Sequence, residues 1–92
     1  MTPEQAETVG LQALAHVAAQ DDLLGAFLAA SGADIAEMRA RASDPAFLGA
    51  VLDFLLQEDQ RVLDFAAAIG VAPTQPALAR ARLPGGQVWH WT

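Results

Sequence analysis

Residues Pro45 to Gln57 read PAFLGAVLDFLLQ, and this stretch decides the fold. Spaced at 100° per residue, its Phe47, Leu48, Val51, Leu52, Phe54, Leu55 and Leu56 sweep about 200° of a helix. Only Ala46, Gly49, Ala50, Asp53 and Gln57 remain as a narrow strip of small or polar residues. A helix apolar over so wide an arc must be surrounded by other elements or by a partner chain.

Outward from that helix, each flank carries stop and start signals. Ser43-Asp44-Pro45 is a cap followed by proline at the first helical position. Downstream, Asp59 marks a break, after which Val62, Leu63, Phe65, Ala66 and Ile69 line a fifth helix stopped by Gly70. The alternative is one kinked helix from Pro45 to Ile69, because Gln57-Glu58-Asp59-Gln60 holds neither glycine nor proline. Pro73, Thr74 and Pro76 then open a short sixth helix ending near Leu83, and Pro84-Gly85-Gly86 closes the helical region.

Upstream, Thr2-Pro3-Glu4-Gln5 has the spacing of a capping box with proline inside it. The first helix is expected to run to about Ala19, with Leu11, Leu14, Val17 and Ala18 inward and Gln12, His16 and Gln20 opposite. Asp21 or Asp22 is expected to cap a second helix that turns Leu23, Leu24, Phe27 and Leu28 inward and stops at Gly32. Asp34 with Glu37 opens a short third helix through Arg41. No segment alternates with period two, so no strand is expected. The sequence predicts an all-α, compact bundle of five or six helices in a single domain over residues 1–86, with an aromatic tail at 87–92.

The chain also resembles itself. Slid so that Asp21 falls on Asp59, it matches Leu14 to Leu52, Phe27 to Phe65 and Gly32 to Gly70. With three residues inserted at Pro73 to Gln75, Arg39-Ala40-Arg41 meets Arg80-Ala81-Arg82. Two similar three-helix units, about 3–42 and 44–83, are therefore expected from an internal duplication.

Composition narrows the function. A net charge of −6 disfavours nucleic acid and anionic membrane surfaces. No run is long enough to span a membrane, and the acidic N-terminus lacks the basic start of a signal peptide. There is no cysteine, which removes disulfides and thiolate chemistry. The sequence predicts a soluble, cytoplasmic protein.

Catalytic, cofactor and metal sites are not indicated. Asp21-Asp22 and Glu58-Asp59 stand at helix starts, where acids cap amides and complement the dipole. His16 and His90 are too far apart in sequence to share a helix turn, and zinc wants three or more ligands. Ser31 and Ser43 lie beside a helix stop and a helix start, with no base in view. Two sets of residues stand out as candidate binding residues. Arg39, Arg41, Arg80 and Arg82 hold four of the five positive charges, all of them arginine. Arginines at i and i+2 point about 200° apart, so a triplet offers no single fork, but one from each could converge on a small anion across a duplicated pair of units. Trp89-His90-Trp91 places both tryptophans of the chain in its last four residues. They either fold back over a gap in the core or anchor a partner, and an exposed pair would be costly in water.

The opening TPEQAETVGLQAL, the central DPAFLGAVLDFLL and the closing RARLPGG with a terminal HWT resemble a small bacterial family, the domain of unknown function 3572. The resemblance covers essentially the whole chain. It implies a small all-helical bacterial protein, and it brings no activity, cofactor or catalytic residue. The expected function is therefore non-enzymatic, without cofactor. It is a protein-interaction or accessory role with an unidentified protein partner or by self-association as a homodimer, with small-anion binding as the alternative.

Overall fold

The computed structural model describes residues 1–84, which form six helices and no strand. These are α1 (Pro3–Ala18), α2 (Asp21–Ser31), α3 (Ile35–Ala40), α4 (Pro45–Leu56), α5 (Asp59–Ile69) and α6 (Gln75–Ala81).

Local chemistry sets most of these boundaries. Thr2 and Gln5 form the reciprocal capping box, with Gln5 N donating to Thr2 Oγ1 at 3.1 Å and Thr2 N to Gln5 Oε1 at 2.9 Å. Asp34 Oδ1 accepts from Glu37 N at 2.8 Å, and Asp44 Oδ1 accepts from Ala46 N at 3.0 Å. Gly32 and Gly70 end α2 and α5 in the left-handed region, at φ 73° and 72°, which costs other residues strain. The acidic caps expected for α2 and α5 are different in fact. Gln20 and Glu58 occupy the cap positions, but neither side chain accepts from a helix N-terminal amide, and Asp21 and Asp59 are the first helical residues. There they complement the helix dipole rather than cap an amide.

The break after α4 settles the kinked-helix alternative in favour of two helices. Glu58 adopts φ −134° and ψ 128°, an extended residue that no continuous helix contains. Arg61 secures the break from the far side. Its guanidinium carbon lies 4.1 Å from the Phe54 ring centroid, Nη1 donates to Phe54 O at 3.4 Å, and Nη2 meets Glu58 at 2.9 Å. A cation is thereby placed at the C-terminal end of α4, where the free carbonyls favour it.

α4 is the surrounded helix. Phe47, Leu48, Gly49, Ala50, Val51, Leu52, Phe54 and Leu55 are all buried, against α1, α5 and α6. Phe27 of α2 adds a wedge, its ring edge-to-face with Phe47 and Phe54 at 5.9 and 5.3 Å.

The inward face of α1 differs from expectation. The buried residues are Ala6, Val9, Gly10, Ala13 and Val17, whereas Leu11 and Ala18 are exposed and Leu14 is half-buried. The reason is steric. α4 fills its side of the interface with large residues, so α1 meets it with small ones, and a Cβ on Gly10 would stand 2.8 Å from Leu48 Cβ. Leu63 of α5, also expected inward, is exposed as well.

The two halves share helix order and left-handed glycine stops, but their third helices are placed differently. α6 packs on α1, α4 and α5, while α3 buries only Met38.

Candidate functional site

The strip along α4 is occupied from within. Arg80 of α6 lies across Gly49, where a Cβ would come within 3.2 Å of Nη1 and 3.3 Å of Cζ. Its Nε donates to Asp53 Oδ1 at 2.6 Å and its Nη1 to Leu83 O at 2.8 Å. Gly49 leaves room for the guanidinium plane, Asp53 fixes it one turn further along, and Leu83 O uses a second edge of the fork. The same clasp holds the end of α6, since Pro84 O would lie 3.1 Å from a Cβ on Gly49.

Of the four arginines in the two triplets, Arg80 is thus committed to the protein itself. Arg39, Arg41 and Arg82 are exposed. Arg39 and Arg82 make no hydrogen bond or ion pair among the described residues, and Arg39 stands in α3 on the rim of a groove. Trp89, His90 and Trp91 lie outside the described residues.

That groove is the surface feature with the most definite chemistry. Leu14 and Ala18 of α1, Leu24 of α2, and Ile35, Met38, Arg39 and Ala42 in and after α3 enclose a volume of about 300 Å³. Every lining residue except Arg39 is apolar. Ile35 is 51 % exposed, and Leu11, on the same face of α1 as Leu14 and Ala18, is 48 % exposed. The groove exists because α1 turned its small residues toward α4, leaving its leucines on this side. A second hollow, lined by Met1, Gln5, Thr8, Val9, Gln75 and Leu78, is mixed in polarity.

His16, expected on the outward face of the first helix, is half-buried. Its ring is tilted against Phe65 at 5.3 Å, and Gln20 Nε2 lies 3.1 Å from its Nε2. Burial lowers its pKa below 6.5, against the smaller opposing pull of the Asp64 carboxylate.

Sequence reasoning missed Arg61 and the groove. Arg61 carried a signal that went unread, a lone arginine seven residues after Phe54, past a helix end. The groove carried none, because its leucines are indistinguishable by periodicity from a core face.

The fold and its surface define a small helical protein with an apolar groove and one charged rim residue. No helix among the described residues is long and apolar enough to cross a membrane. Residues 3–86 match the family described as Protein of unknown function (DUF3572), and the chain belongs to that family. No curated protein and no solved structure matches it.

Proposed function

We propose that this protein acts by binding another protein, without chemistry of its own, and that the α1–α2–α3 groove receives a short aromatic segment of the partner. The observation that carries this reading is the continuous apolar lining from Leu14 to Ile35 with a single guanidinium, Arg39, at its rim. Rings bury large area in such a trough, and a guanidinium gains by lying over an aromatic face. Ile35 at half exposure is the kind of residue that a partner covers. An adaptor or accessory role in the cytoplasm accords with the acidic surface, which keeps the chain off nucleic acid and anionic membranes. The anion-binding alternative is weaker, because Arg80 is already held by Asp53 and Leu83 O.

The test uses the full chain as bait in three forms: wild type, Ile35→Asp, and Leu63→Asp as a change at an exposed leucine on α5, away from the groove. A protein recovered by wild type and Leu63→Asp, and lost with Ile35→Asp, is the expected result. Equal recovery with Ile35→Asp overturns the groove as the binding surface.

A further inference from the structure

We propose that the partner segment received by the groove is an acidic–aromatic one, its ring seated on Leu14, Leu24 and Met38 and a carboxylate about one helical turn from that ring paired with the Arg39 guanidinium. This rests on the groove being a protein-binding surface and adds what the partner must carry besides a ring.

Charge at the groove runs against charge on the chain. Acids outnumber basic residues by 11 to 5, yet no carboxylate lines the groove, and the one charged side chain in its lining is Arg39. Two other arginines find acids inside the molecule: Arg61 meets Glu58 at 2.9 Å and Arg80 meets Asp53 at 2.6 Å. Arg39 makes no hydrogen bond or ion pair among the described residues. Its place in the last turn of α3 accounts for a positive charge there, through the free carbonyls, but leaves the donors of the fork without a protein acceptor among those residues.

The α4–α5 corner shows one guanidinium serving a ring and an acid together. The Arg61 guanidinium carbon lies 4.1 Å from the Phe54 centroid while Nη2 pairs with Glu58, four residues further along the chain. The flat face takes the ring and the edge takes the carboxylate, so neither contact excludes the other. A partner with a ring and an acid at that spacing reproduces the arrangement on Arg39.

Volume and charge restrict the ligand further. About 300 Å³ lies at the lower end of pockets that enclose a small molecule, room for an anchor side chain rather than for a whole helix. A basic group beside the ring would face Arg39 at close range, and like charges so placed oppose binding. Over the rest of the chain the net charge of −6 repels an acidic segment, so the acid also selects the groove over other surfaces.

The experiment is selection from a library of random peptides displayed on phage, with the full chain as bait. Four baits are used: wild type, Ile35→Asp, Arg39→Glu and Arg82→Glu. The last makes the same change in net charge at an exposed arginine outside the groove lining. Helix content by circular dichroism is recorded for each bait.

Wild type and Arg82→Glu are expected to enrich peptides with an aromatic residue and an Asp or Glu within four positions of it. Ile35→Asp should lose these peptides, and Arg39→Glu should enrich rings flanked by Lys or Arg instead. A synthetic peptide of the wild-type motif should bind Arg39→Gln severalfold more weakly than wild type, with the difference shrinking at high salt. An aromatic motif that depends on Ile35 but carries no acid, or an acid retained with Arg39→Glu, overturns the proposal and leaves the groove reading standing. Peptides that bind wild type and Ile35→Asp alike, or no enrichment on any bait, overturn the groove reading and the proposal with it.

Discussion

Arg80 Nε stands 2.6 Å from Asp53 Oδ1, joining α6 to α4 across the strip of α4 that large residues leave open. With 17 % and 24 % of the two side chains exposed, the pair lies between a surface bridge and a buried one. Arg80→Ala removes a charge-assisted bond and leaves Asp53 short of a partner, which should cost about 1–3 kcal/mol. In a domain of this size that is a fall in melting temperature of about 4–8 °C per kcal/mol. Asp53→Arg should cost more, since it sets two guanidiniums against each other where α6 packs on α4. A double-mutant cycle with Asp53→Ala and Arg80→Ala measured by denaturant unfolding should show coupling; strict additivity would contradict the clasp.

Two helix glycines stand in opposite environments. Gly25 has open space around a Cβ, so Gly25→Ala should stabilise by about 0.5–1 kcal/mol through helix propensity alone. Gly10→Ala meets Leu48 Cβ at 2.8 Å, an atom fixed to the α4 backbone that no rotamer change can move. Overpacking of about 1–3 kcal/mol should outweigh the propensity gain. Urea midpoints of the two variants should therefore move in opposite directions, and a rise in both would mean that α1 and α4 are not in close approach.

Helix order and the caps at Thr2, Asp34 and Asp44 were legible because they follow from contacts within four residues of each other. The face that α1 buries was not. Leu11, Leu14 and Ala18 share a stripe as convincing as Ala6, Val9, Gly10 and Ala13, and hydrophobicity favours the leucines. The choice is made by α4, whose bulk demands small residues opposite, and that demand becomes visible only when the two helices are placed together. The same misreading hid the groove. The Asp53 strip could be picked out in the sequence as a question, but its answer lay in Arg80, distant along the chain. The arginine triplets suggested a shared ligand; packing instead gave Arg80 to Asp53 and left Arg39 on the groove rim.

Arg61 holds the α4–α5 corner by its flat face and its fork together. Arg61→Ala should cost about 1–2 kcal/mol through loss of the Phe54 stacking. Arg61→Lys keeps the charge but neither the plane nor the paired donors, and should recover only part of that loss. Glu58→Ala, which removes an exposed partner at 2.9 Å, should stay within about 0.5 kcal/mol. If Glu58→Ala equalled Arg61→Ala in thermal unfolding, the ion pair rather than the ring would be holding the corner.

His16 makes stability depend on pH on the acid side of neutrality. Burial against Phe65 favours the neutral ring and lowers its folded pKa below the 6.5 of the free side chain, with Asp64 opposing in part. Between the two pKa values the unfolded chain binds the extra proton, so stability is complete above the unfolded pKa and falls as pH drops toward the folded one. Melting temperature should therefore decline as pH falls from about 7 through 6.5. His16→Gln should flatten that decline without abolishing the fold, and the difference between the two profiles isolates His16 from His90. Identical slopes in wild type and variant would show that the His16 ring is solvated in the folded protein.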